Sequence, residues 1–205
     1  MATVEIEHFT DPNCPYAYSS EPIRQRLSWV YGDQLSWRTR MVVLAETRAV
    51  YEQKGMTPER VAKDYARLSR EPGMPFDTAP RTAVPATEPA CLVVVAARER
   101  AGAEAADRVL RALRLAQMGG GVIDEPATID AAIETAGLTP AEVHAWGGEP
   151  EVIAALAADK DAARHPPPGG GTRPAAGHVG GRPPLHLPDL RRAPRQRQKL
   201  RRSGV

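Results

Sequence analysis

A chain of 205 residues with 42% hydrophobic and 25% charged residues fits one good-sized globular domain, or one domain carrying an inserted subdomain. No apolar run approaches the ~20 residues that span a bilayer, and the start MATVEIEHFT lacks the basic and apolar segments of an export signal, so a membrane role is not expected. Two cysteines cannot build a disulfide framework and suit a reducing, cytoplasmic setting.

The net charge of +2 hides a strong asymmetry. Before His165 there are 18 Lys and Arg against 24 Asp and Glu; from His165 onward there are nine basic residues and a single acid, Asp189. That last stretch also holds eight of the 20 prolines and seven of the 17 glycines. HPPPGGGTRPAAGHVGGRPP has too little apolar surface to offset the entropy of ordering it. Residues 1–164 therefore read as folded, and residues 165–205 as a disordered basic tail.

In chain order, Val4, Ile6 and His8 alternate with Glu5, Glu7 and Phe9, which predicts a strand with one better-buried face. The next stretch, DPNCPYAYSS, puts a cysteine and then a proline at the mouth of a helix. Proline fits the first helical turn, where an N–H has no partner to lose. A thiol there feels the positive end of the helix dipole, which favours thiolate and predicts a Cys14 more acidic than a free thiol. Ser20 to Tyr31 sets Ile23, Leu27 and Val30 on one helical face, and Gly32 ends it. Gln34 to Leu44 is strand-like, with Leu35, Trp37, Thr39, Met41 and Val43 on one side. Strand, helix, strand implies a parallel pair with a right-handed crossover.

Beyond Ala45 the pattern is helical. Thr57-Pro58-Glu59 opens a helix that aligns Val61, Tyr65 and Leu68. Ala86 to Ala101 is almost continuously apolar. Ala106, Val109, Leu110 and Leu113 repeat at helical spacing until Gly119 to Gly121, and Ile129, Ala132, Ile133 and Ala136 form another stripe. Thr139 and Glu142 have capping-box spacing. Val152, Ile153 and Leu156 supply a last helix.

VEIEHFTDPNCPYAYSSEPIRQRL, then QLSWRTRMVVLAE, then helices, resembles the DsbA-like branch of the thioredoxin superfamily. That branch includes FrnE-type oxidoreductases and the 2-hydroxychromene-2-carboxylate isomerase and kappa-class glutathione transferase group. The resemblance spans residues 3–164. It implies an α/β fold: a thioredoxin-like βαβ unit over residues 1–45, a helical insertion domain over 46–164, and C-terminal strands that the tail cannot supply. It also implies a nucleophilic Cys14, with Asp11, Pro15, Tyr16 and Tyr18 around the bound thiol or substrate. Ala17 stands where the resolving cysteine would be. A dithiol closes an internal disulfide and releases its substrate, whereas a single thiol cannot. The implied function is a thiol-disulfide oxidoreductase working through one cysteine. A thiol-cofactor-dependent isomerase or transferase is the alternative, and a non-catalytic binding scaffold is the third reading. No tightly bound cofactor and no metal are expected. The expected partners are a small disulfide or a low-molecular-weight thiol, glutathione or mycothiol, and a second copy of the chain.

Other signals are weaker. Cys91, in PACLVVVAA, reads as a core thiol. MGGG at 118–121 reads as a helix terminator, since no strand precedes it and no Gly-Lys-Ser/Thr follows. The tail arginines lack aromatic neighbours for base stacking, so no specific nucleic-acid partner is expected. The tail composition is also that of GC-rich DNA read out of frame. Starting one base later, the codons for LHLPDL at 185–190 permit Tyr-Thr-Cys-Pro-Thr-Tyr, the kind of proline-bearing segment the family keeps opposite its nucleophile.

Overall fold

The computed structural model describes residues 3–70 and 74–165. Two strands, β1 (Val4–Thr10) and β2 (Leu35–Met41), pair in parallel with Val4 opposite Leu35 and Thr10 opposite Met41. Between them runs α1 (Pro15–Tyr31), the crossover that a parallel pair requires. Among the described residues the sheet has these two strands, so β1 has one paired edge.

The helix α1 begins at Pro15 rather than Ser20, because Cys14 is its extended N-cap and Pro15 its first residue. Apolar periodicity starts only at Ile23, so periodicity alone placed the start late. Gly32 ends the helix with φ 52°, a left-handed conformation that glycine adopts without steric penalty. The expected inner face is corrected as well. Ile23, Leu27 and Val30 are exposed, at 61, 39 and 54%, while the buried residues of α1 are Tyr18 and Glu21. Along β2 the alternation holds: Thr39 and Met41 are buried and Leu35 and Trp37 half-buried, with Ser36 and Arg38 exposed. The strand stops at Met41, and Val43 continues the buried side from a left-handed turn (φ 55°), unusual for a β-branched residue.

Among the described residues seven helices follow: α2 (Arg48–Gln53), α3 (Pro58–Leu68), α4 (Glu88–Ala101), α5 (Ala103–Met118), α6 (Pro126–Thr135), α7 (Pro140–Gly147) and α8 (Pro150–Arg164). Helix α4 is apolar nearly all round because it is central, packing on α5, α7, α8 and β2. Its Ala90, Cys91 and Val93 to Ala97 join Leu110, Leu113, Ile123, Ile133, Val143 and Val152 in one core. A smaller cluster of Tyr18, Tyr65 and Met118, with Val61, Met74 and Phe76 against it, lies under the start of α1. Thr57 caps α3 by accepting the Arg60 N–H at 3.3 Å. Thr139 does stand at the N-cap of α7, but its side chain makes no capping bond, so the expected reciprocal box does not form. Ile153 turns outward, 53% exposed.

The described residues fall in one unit, Met1–Pro168; the second unit, Gly169–Val205, lies outside them, and with it the tail and its frame. No helix among the described residues is long and apolar enough to cross a membrane, and they contain no cluster of acidic, histidine and cysteine side chains able to hold a metal ion.

Candidate active site

The turn from β1 into α1 is built around Asp11. Its carboxylate accepts the Asn13 N–H at 2.8 Å, an Asx turn, and the Leu44 N–H at 2.9 Å, which ties the turn to the chain leaving β2. The Cys14 N–H donates to the Asp11 carbonyl at 3.2 Å, and the Tyr18 N–H to the Cys14 carbonyl at 3.1 Å, starting the helix. Asp11 is 1% exposed and burial raises its pKa, the two backbone N–H groups opposing that rise. It anchors the turn and takes no part in the surface that a substrate would meet.

Cys14 is a free thiol, half-buried at the N-cap of α1. Its sulfur makes no capping hydrogen bond, yet the amides of Ala17 and Tyr16 lie near enough to favour the thiolate. Burial acts the other way and more strongly, so the thiol sits above its ordinary pKa, with Asp11 adding to the rise and Arg114 opposing it. The expectation of a depressed pKa is therefore corrected. A helix terminus stabilises a thiolate that water reaches, and here desolvation outweighs that stabilisation.

Of the other expected residues, Pro15 opens α1, and Tyr16 is 59% exposed with its hydroxyl 3.4 Å from an Arg67 guanidinium nitrogen. Tyr18 is 2% exposed; its hydroxyl donates to the Pro75 carbonyl at 3.0 Å and its ring meets Phe76 edge-on. Tyr16 thus faces solvent beside Cys14, while Tyr18 holds the helix start to the insertion.

Several site residues carried no sequence signal. Tyr51 of α2 accepts from the Asn13 side-chain amide at 3.3 Å, and Tyr65 of α3 lies under the Arg81 guanidinium, 4.7 Å from its ring centroid. Both phenols are within electrostatic reach of Cys14, and burial raises the pKa of each. Cys91 is fully buried on α4, and its sulfur lies 3.6 Å from the Asp11 carboxylate, to which its thiol donates. Burial pushes that thiol well above its ordinary pKa, so it stays protonated. Only fold-level distance information could have joined Cys91 or the two tyrosines to the turn.

A model of the DSBA-like thioredoxin domain matches residues 5–166. This chain belongs to that family. The match ends where the Pro/Gly/Arg-rich composition begins. Among solved structures, a candidate protein disulfide isomerase from Nitrosomonas europaea is similar at 16% identity and TM-score 0.66, the alignment covering 80% of this chain and 79% of that one. The cytosolic disulfide reductase DsbM from Pseudomonas aeruginosa is similar at 20% identity and TM-score 0.53, with 79% of each chain covered. Its structure with GSH aligns at TM-score 0.54 over 79% of this chain and 80% of that one. At these identities the likeness is one of fold. No curated protein matches the chain.

Proposed function

We propose that this DsbA-family chain exchanges thiols and disulfides in the cytoplasm through Cys14 alone. The observation that carries the reading is the placement of a free, partly accessible Cys14 at the N-cap of α1, beside Ala17 rather than a second thiol. The Cys14 thiolate attacks one sulfur of a small disulfide, forming a mixed disulfide and expelling the other half as a thiolate, which takes a proton from solvent. A second small thiol then attacks the mixed disulfide, leaves as a new symmetrical or mixed disulfide, and returns Cys14 to the reduced state. Sulfur oxidation states balance over the two steps, and the external thiol is the reductant. Glutathione or mycothiol fits that role by size and chemistry. DsbM, of like fold, has been solved with GSH, which supports the choice of probe.

Intact-mass measurement after exposure to glutathione disulfide tests the reading. The expected result is one glutathione adduct, lost in Cys14→Ser and kept in Cys91→Ala. A Cys14–Cys91 disulfide as the main oxidised species would overturn the single-thiol mechanism, and an adduct that survives Cys14→Ser would move the site elsewhere.

A further inference from the structure

Arg114 of α5 is the largest fully buried side chain of the described residues, at 0% exposure. One guanidinium nitrogen donates to Glu21 at 3.0 Å and the other terminal nitrogen to the Thr10 hydroxyl. Glu21 lies on the inner face of α1, seven residues beyond Cys14 and in line with Cys14 and Tyr18; Thr10 is the last residue of β1. Arg114 therefore clamps together the two elements between which the Asp11–Cys14 turn is strung. Its Nε is buried without a hydrogen-bond partner, so the fork is not saturated by structural contacts.

The charge count around this clamp does not close. Glu21 also accepts from Arg111 at 2.9 Å, so one carboxylate faces two guanidiniums and a positive charge is left over. Arg111 is 42% exposed and water screens it, whereas the Arg114 side chain is 1% exposed and is not screened. Nearby, Arg24 is paired with Asp107 at 2.6 Å. Among the described residues Asp11, Tyr51 and Tyr65 also lie within electrostatic reach of Cys14; burial favours the neutral form of all three, so none supplies a negative charge to cancel that surplus.

We propose that Arg114 is the positioning residue of the Cys14 thiolate, fixing the turn by its fork to Thr10 and Glu21 and favouring the developing sulfur anion with its buried positive charge. This rests on Cys14 being the reactive thiol. It gives a half-buried cysteine with an elevated pKa a route to a usable thiolate that does not depend on the helix terminus. Because α5 belongs to the helical insertion, it also makes that insertion part of the reaction centre.

The test is the pH dependence of Cys14 alkylation by iodoacetamide, with Cys14→Ser as the blank and circular dichroism confirming the fold. Removing the charge with Arg114→Met should move the midpoint up by about one unit, a tenfold smaller thiolate fraction at neutral pH. Arg114→Lys should recover most of that fraction. Where Arg114→Met leaves Glu21 too poorly paired to fold, the double change Glu21→Leu with Arg114→Met replaces the buried pair by apolar groups and should still move the midpoint up, by less, because the Glu21 charge is removed as well. In the unaltered protein the midpoint should hold from low to molar salt, since a buried charge escapes screening. An unchanged midpoint in a folded charge-removed variant, or a salt-sensitive midpoint in the unaltered protein, overturns the role of Arg114. Alkylation that does not differ between the unaltered protein and Cys14→Ser would instead sink the reading of Cys14 itself.

Discussion

His8 shows how much one half-buried ring on β1 can carry. Its ring meets Trp37 edge-on at 6.2 Å, and its Nδ1 is buried without a partner. Burial, reinforced by Arg24 and Arg114 and opposed by Asp107, lowers its pKa to about 4. The folded state thus binds the proton more weakly than the unfolded chain, whose histidine titrates near 6.5. Stability from this residue is complete above the unfolded value and falls as pH drops from about 6.5 to about 4. With the ring partly in reach of water, the loss is on the order of 1–2 kcal/mol after allowance for screening. Denaturant titrations of the unaltered protein and His8→Gln across that range should converge at low pH. A constant gap between them would show that His8 is not the titrating group.

At the scale of elements, the helical insertion is fastened to the sheet by buried charge rather than by apolar contact alone. Asp159 of α8 is fully buried and accepts the Met41 N–H at 3.0 Å, Arg40 at 3.2 Å and Arg98 at 2.6 Å. Arg98, from the last turn of α4, also donates to the Thr39 carbonyl at 2.7 Å, so one carboxylate gathers α4, α8 and the end of β2. Asp159→Ala would strip the strand N–H of its acceptor and remove the buried carboxylate from two guanidiniums, leaving Arg40 to Glu7 and Arg98 to Glu99 and the Thr39 carbonyl. Breaking such a pair typically costs about 3–5 kcal/mol. The expected outcome is a large fall in the urea midpoint with Cys14 alkylation affected only through unfolding. A change below about 1 kcal/mol would place the fastening in the apolar core instead. On the opposite side, Thr87 holds the start of α4 to the chain after β2, accepting the Ala45 N–H at 3.2 Å and donating back to its carbonyl at 3.3 Å.

For the whole molecule the telling feature is apolar surface that nothing among the described residues covers. Val4, Ile23, Leu27, Trp29 and Val30 are exposed, Trp29 at 85%, and β1 has an edge with no partner strand among the described residues. Exposed apolar side chains and an open strand edge each promote association. Sedimentation should therefore show concentration-dependent oligomers, diminished in Ile23→Lys with Val30→Lys and with no loss of thermal stability. A strictly monomeric unaltered protein would remove the motive for that surface. We propose that the shifted frame from codon 165 onward encodes further strands. Restoring that frame should sharpen thermal unfolding and end the association. Deleting residues 166–205 should leave the melting temperature unchanged, and a fall on deletion would show instead that the tail, as translated, belongs to the fold.

The sequence by itself determined what repeats over short range. Alternation in β1 and β2 and the 3.6-residue stripes of α3, α5 and α6 follow from local burial, and the cysteine-proline step marked the mouth of α1. The family came from the resemblance of VEIEHFTDPNCPYAYSSEPIRQRL and QLSWRTRMVVLAE, which the domain match bears out, and that resemblance named Cys14 as the candidate nucleophile. The local rules erred on the inner face of α1, because Tyr18 and Glu21 are buried by partners 57 to 93 residues away rather than by periodicity. Only the tertiary structure decided the environment of the thiol. Asp11 is bound from Leu44 and Cys91, Glu21 from Arg111 and Arg114, and Met41 from Asp159 across 118 residues. Desolvation and charge depend on distance in space, and a pattern along the chain records neither, so the direction of the Cys14 pKa could come only from the folded arrangement.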